Sequence, residues 1–386
     1  MNFLYFSPHF PDNFQHFCHR LADLGVTVLG IGDCPYDRLS AALRKSLTEY
    51  YRIPDMEDYE TVVRAVGFFI HKYGKIDRFE SLNEHWLYLE AKIRTDFNIP
   101  GVRLDEIGNM KFKSKMKKLF RSVGVETAKG RVIDNLQEAK QFGTRVGYPI
   151  VVKPDSGVGA LSTHKVHSAR EMEELFSQLR AVPYIFEEFI EGNIFSFDGL
   201  TDQDGRIVFL TSHKYGGGIM ETVNEDKHIH YHSMKSIPAD LEEAGRKIVD
   251  AYRLKERFFH LEFFRTDSNR LVALEANLRP PGGYTVDMFN YANDIDIYRE
   301  WAQVVVHNRF AAAYDRKYIC CYIGRKWNAD YLHSHEQILK RLGDSIVHHS
   351  EISGVFSAAL GNYCYIVRSQ AMEEIGRAVA IVHETI

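Results

Sequence analysis

FFHLEFFRTDSNRLVALEANLRPPGG, residues 258–283, places two carboxylates where ordinary packing would not. Two runs of aromatic and branched residues flank Thr266-Asp267-Ser268-Asn269, a cluster of turn formers, so the stretch predicts a β-hairpin. A turn centred between Ser268 and Asn269 sets Glu262 directly opposite Glu275. Because strand side chains alternate between faces, Glu275, Asn277 and Arg279 then share one face, with His260 across from Asn277. Two carboxylates about 5 Å apart repel by roughly 3 kcal/mol at an effective dielectric of about 20. Favourable cross-strand pairs return only about 0.2–1 kcal/mol, so the pairing implies a compensating cation. Oxygen ligands of this kind suit Mg²⁺, which takes one or two carboxylates and completes its shell with water and nucleotide phosphate.

Beyond the hairpin, 386 residues with 45% hydrophobic and 26% charged side chains read as an ordinary globular chain of two or three domains. A net charge of -4 gives no whole-molecule attraction to nucleic acid or to an anionic membrane. No apolar run approaches the roughly 18 residues of a membrane span. The opening MNFLYFSPHFPDNF has no basic lead and reads as a first strand, not a signal peptide. Five cysteines without CxxC spacing fit reduced thiols and a cytoplasmic location.

Upstream, residues 2–7 and 26–32 read as strands around a helix with Phe14, Phe17, Leu21 and Leu24 on one side. This is a βαβ opening that predicts a parallel sheet. Gly30-Ile31-Gly32 reads as a tight strand-to-loop turn. Ser81, Asn83 and Glu84 follow a short strand and either face a cleft or start a solvated helix. Asp105–Val123 has helical spacing and ends at Gly124, with Lys113 and Lys117 on one side and Lys111, Lys115 and Lys118 on another. The run YPIVVK, residues 148–153, ends in Lys153, an ammonium beside an apolar strand that needs an anionic partner. Gly157 and Gly159 follow; such a loop can cradle phosphate oxygens, or it can be a plain turn. Tyr184–Gly192, YIFEEFIEG, reads as a strand with a glycine exit. Gly216-Gly217-Gly218 marks a cover over the substrate. His228, His230 and His232 share a face if extended, as metal ligands or as hydrogen-bonded edge residues.

In order, these parts resemble the ATP-grasp superfamily, in particular its carboxylate–amine ligases. The likeness rests on Lys113, Lys153 with its glycine loop, the EEFIEG segment, and the Glu262, Glu275, Asn277, Arg279 hairpin. It implies a mixed α/β and α+β fold: a Rossmann-like domain over residues 1–104, a two-lobed ATP-grasp domain over 105–312, and a small α+β segment over 313–386. It also implies that Lys113 and Lys153 contact ATP phosphates and that Gly157 and Gly159 lie in a loop closing over them. Glu187 would meet the adenine amino group, with Glu188, Phe189 and Ile190 forming the hinge beside the base. Glu262, Glu275 and Asn277 would hold Mg²⁺, with Mn²⁺ as an alternative, and Arg279 would stabilise the transferred phosphoryl group. Two departures stand out. Phe112 replaces the family's Asp before the first lysine, and Gly192-Asn193-Ile194-Phe195-Ser196 lacks its Glu, leaving the ribose ligand unassigned.

The chemistry this implies is phosphorylation of a carboxylate to an acyl phosphate, which an amine then attacks to form an amide with release of ADP and phosphate. Positioning and charge stabilisation suffice for this, so no Ser-His-Asp or Cys-His set is needed. The implied partners are a small-molecule carboxylate and amine, with no nucleic acid and no membrane, and a homodimer is allowed. Alternatives are a biotin-carboxylase-like use of bicarbonate and a non-catalytic ATP-binding scaffold.

Overall fold

The computed structural model describes residues 1–157, 162–179, 182–217 and 228–386. The chain opens with a four-stranded parallel sheet in the order β3-β2-β1-β4. Its strands are β1 (Asn2–Phe6), β2 (Thr27–Gly32), β3 (Glu49–Arg52) and β4 (Arg78–Glu80). The apolar runs NFLYF and TVLGIG are buried on both faces, as helices covering a parallel sheet require. Gly30 and Gly32 lie within β2, not in a turn. A Cβ on Gly30 would stand 3.0 Å from the Tyr50 ring, and one on Gly32 2.7 Å from its hydroxyl, so both glycines admit Tyr50.

A small antiparallel sheet follows, in the order β5-β8-β6-β7. It comprises β5 (Gly130–Val132), β6 (Ile150–Pro154), β7 (His164–Val166) and β8 (Tyr184–Glu188). Its core is Phe142, Ile150, Val152, Met172 and Phe186.

The largest element is an eight-stranded antiparallel sheet in the order β13-β12-β9-β10-β11-β14-β16-β15. It contains β9 (Asn193–Thr201), β10 (Ile207–Tyr215), β11 (His230–Ser233), β12 (Phe258–Arg265), β13 (Leu271–Asn277), β14 (Ile319–Arg325), β15 (Ile346–Glu351) and β16 (Tyr363–Ser369). The strands after residue 312 therefore continue the same sheet through the β11–β14 pair. The longest strands, β9 and β10, were not anticipated. Buried polar residues such as Ser196, Asp198 and His213 interrupt the apolar alternation that marks a strand.

One hydrophobic cluster joins the first sheet to the large one: Phe3, Phe17 and Trp301 pack with Phe209 and Phe258. The Trp301 ring meets Phe3 and Phe17 edge-on at 5.7 and 4.9 Å. Arg257 ties the carboxyl end of β4 to the end of β13, its Nη2 donating to Glu80 Oε1 at 3.1 Å and its Nη1 to the Leu278 carbonyl at 3.0 Å.

Asp105–Val123 is two helices, not one. Leu104–Lys111 ends at Phe112, whose ψ of 119° leaves the helical region, and Lys113–Ser122 begins at once. Asp155 causes the break. Its carbonyl accepts the Lys113 N–H at 2.8 Å, and its carboxylate accepts the Ser114 N–H and Oγ–H, each at 2.7 Å.

Candidate functional site

Glu262 pairs with Glu275 and His260 with Asn277, as expected, but the route to that register differs. Arg265 faces Leu271, so the turn is centred on Ser268, with Asn269 at a φ of +62°. Leu274 is then skipped between Ala273 and Glu275, and this bulge restores the pairing. The charge repulsion has an answer within the protein. Glu262 Oε1 lies 3.0 Å from His260 Nε2, and His260 Nδ1 lies 2.5 Å from Asp198 Oδ1. Burial alone would lower His260, but Asp198 and Glu262 outweigh it and push it up to about 10, an imidazolium between two carboxylates. Burial would raise Glu262, yet His260 holds it below the usual range. Asp198, also bonded by His213 Nδ1 at 2.8 Å and Ser196 Oγ at 2.5 Å, is held down in the same way.

The lysines converge on this hairpin. Lys113 Nζ donates to the Gly157 carbonyl at 3.0 Å and stands 3.8 Å from Glu275 Oε1. Gly157 has a φ of +121°, a conformation that favours glycine. Gly159 lies outside the described residues, as does Gly218 of the expected cover. Lys153, at the end of β6, lies 3.0 Å from Glu187 Oε2. Lys117, one turn after Lys113, lies 2.8 Å from Glu187 Oε1 and donates to the Leu274 carbonyl at 3.3 Å. Glu187, expected at the adenine amino group, has a buried carboxylate shared by two ammonium groups. Burial opposes its charge, but Lys117 and Lys153 win and hold it at about 2. Burial lowers Lys117, while Glu187 and the hairpin glutamates overcome burial to raise Lys153. Lys117 was missed as a site residue. Its place on the Lys113 side of the helix was the available signal, but its partner is seventy residues away in sequence.

At the far end of β13, Arg279 Nε bonds Glu84 Oε2 at 3.0 Å and its Nη1 donates to the Pro280 carbonyl at 2.9 Å. Glu84 both opens the 3-10 helix Glu84–Trp86, capped by Asn83, and turns its carboxylate to Arg279 in the cleft. Burial raises its carboxyl, with Arg279 partly offsetting this. Turned so that its NH₂ donates, Asn277 reaches Glu84 Oε2 at 2.9 Å and Glu275 Oε1 at 3.3 Å. After β8, the ring of Phe189 lies under Lys165 Nζ at 3.7 Å. The Glu188 N–H bonds the Lys129 carbonyl at 2.9 Å, and Glu188 Oε1 accepts the Lys129 N–H at 2.9 Å. Ile190 follows in the irregular exit from the strand.

Two carboxylates and an amide on one face fit a hard divalent cation shared with phosphate oxygens. Among the described residues, no three His, Cys, Asp or Glu side chains are arranged to hold a metal, so the 228–232 histidines do not form such a centre. Among those residues, too, no helix is long and apolar enough to cross a membrane.

Residues 146–287 match the family model described as an ATP-grasp domain. The L-arginine-specific L-amino acid ligase of Bacillus subtilis is 26% identical over 268 residues, 65% of this chain and 64% of that protein. The carbamoyl phosphate synthase large chain of Neisseria meningitidis serogroup B is 25% identical over 200 residues, 50% of this chain and 17% of its own length. The matches thus span less than two thirds of these curated relatives. The crystal structure of an L-amino acid ligase from Bacillus licheniformis superposes with a TM-score of 0.76 at 15% identity, covering 98% of this chain and 95% of that one. The matched segment holds Lys153, Glu187, Glu262, Glu275, Asn277 and Arg279 of the cleft, while Glu84, Lys113 and Lys117 precede it: residues 146–287 match an ATP-grasp domain, and the chain is similar to the superfamily's carboxylate–amine ligases.

Proposed function

We propose that the protein is an ATP- and Mg²⁺-dependent carbon–nitrogen ligase that phosphorylates a small carboxylate and joins it to an amine, releasing ADP and phosphate. The supporting observation is the convergence of Lys113, Lys153, Glu262, Glu275, Asn277 and Arg279 on one cleft from three separate elements. In this reading Lys113 and Lys153 hold ATP phosphates under the loop of Gly157 and Gly159. The backbone of Glu188 and Ile190, with Phe189, seats the base. Glu262, Glu275 and Asn277 would hold Mg²⁺, whose charge would offset that developing on the phosphates. Glu187 positions the lysines. Arg279, which Glu84 orients, meets the phosphoryl group. Residues 1–104 and 313–386 flank the nucleotide domain, 105–312, and build the acid and amine pockets.

The test is incubation with ATP, Mg²⁺ and a library of amino acids and small acids, following ADP and phosphate. Release is expected only when an acid and an amine are both present. Release driven by bicarbonate without an amine, or tight ATP binding with no turnover for any pair, would overturn the proposal.

A further inference from the structure

The large sheet has a second face. Glu262 pairs with Ser196, and Ser196 with His213, so these side chains share the cleft face. Lys214 is one residue on and projects to the opposite side, beside His232, its partner on β11. There a cavity of about 320 Å³ lies between the strands and the C-terminal helix Met372–His383. That volume falls in the range of small-molecule pockets. Its two walls differ. Lys214, His230 and His232 form the polar wall, while Ile375, Gly376 and Val379, on one stripe of the helix, form the apolar one. Among the described residues no carboxylate lines the cavity, and Lys214 Nζ rests over the Phe195 ring at 5.8 Å. Burial lowers both imidazoles, and His232 Nδ1 donates to the Ser233 carbonyl at 3.1 Å, which leaves its Nε2 an acceptor, so the positive charge on this wall is the Lys214 ammonium. A Cβ added to Gly376 would meet nothing within 4 Å, so the helix opens onto space at that point.

We propose that this cavity is a second binding site, separate from the catalytic cleft, for a small aliphatic monocarboxylate whose head group lies on Lys214 beside His230 and whose chain lies along Ile375, Gly376 and Val379. One positive charge matches a monoanion, and the aliphatic stripe selects against a fully polar ion. The site does not depend on the ligase reading.

The test uses hexanoate, titrated calorimetrically into the full chain saturated with ADP and Mg²⁺, with hexanol and hexylamine as charge controls. Saturable hexanoate binding is expected, at least about tenfold tighter than either control. Lys214→Met removes the charge, and Gly376→Leu fills the space while raising helix propensity. Each should weaken hexanoate at least about tenfold and leave ADP affinity unchanged, which reports that the fold is intact. Absence of saturable binding, or an unchanged hexanoate affinity in either variant, overturns the proposal; the latter would place the ligand in the catalytic cleft.

Discussion

Glu275 faces both Glu262 and Lys113, so removing its charge while keeping its shape isolates what the carboxylate does. Glu275→Gln should lower kcat for ADP release by at least about 100-fold, in line with the loss of one preorganised electrostatic group, with little change in melting temperature. Near-normal turnover would sink the metal assignment. Lys117 makes a contrasting case. It supports Glu187 from inside the protein, so Lys117→Met should cost stability, about 3–5 kcal/mol as for a broken buried pair, readable from the denaturant midpoint. An unchanged midpoint would show that Lys153 alone satisfies Glu187. The hairpin set was legible because strand alternation turns E-x-N-x-R into one face without knowledge of anything distant. The parts that were not legible depend on long-range partners: Lys117 on Glu187, Asp198 on His213 and His260, and Glu84 on Arg279.

Among elements, the break at Phe112 aims the first lysine, and it depends on Asp155, which belongs to the strand-end loop after β6. Asp155→Ala removes the acceptor for the Ser114 N–H and Oγ–H. A lost helix N-cap costs about 0.5–2 kcal/mol. Because Asp155 and Gly157 lie in the loop that Lys113 touches, KM for ATP should rise more than kcat falls. A fall in kcat with KM unchanged would separate the cap from nucleotide binding. The sequence showed helical spacing through residues 105–123 but nothing local to stop it, since the capping group is some forty residues away. The terminal helix was readable end to end, because Met372–His383 carries its own amphipathic pattern. β9 and β10 were hidden for the opposite reason: as central strands, their patterns are set by neighbours on both sides.

For the whole molecule, Glu187 and His260 are two buried charges that make stability depend on pH. Glu187 has its pKa depressed from 4.5 to about 2 in the fold, so its stabilisation is complete above the ordinary carboxylate range and is lost as pH falls through about 2. His260 has its pKa raised from 6.5 to about 10, so its contribution is complete below 6.5 and is lost as pH rises through about 10. Denaturant titrations across pH should therefore show stability falling from the ordinary carboxylate range towards pH 2 and from 6.5 towards pH 10, and His260→Gln should flatten the alkaline limb; an unaltered limb would mean that other groups cause it. The overall class was legible from the βαβ opening and the hairpin, whereas the union of the last strands with the central sheet was not, because it rests on β11 meeting β14 across the sequence. That union has a practical side. A chain cut after residue 312 would leave the outer row of β11 amides and carbonyls with no neighbour, an open template for another molecule's strand. Such a fragment should form larger assemblies in light scattering than the full chain does, which would make the last seventy or so residues a guard against aggregation; equal sizes would deny it.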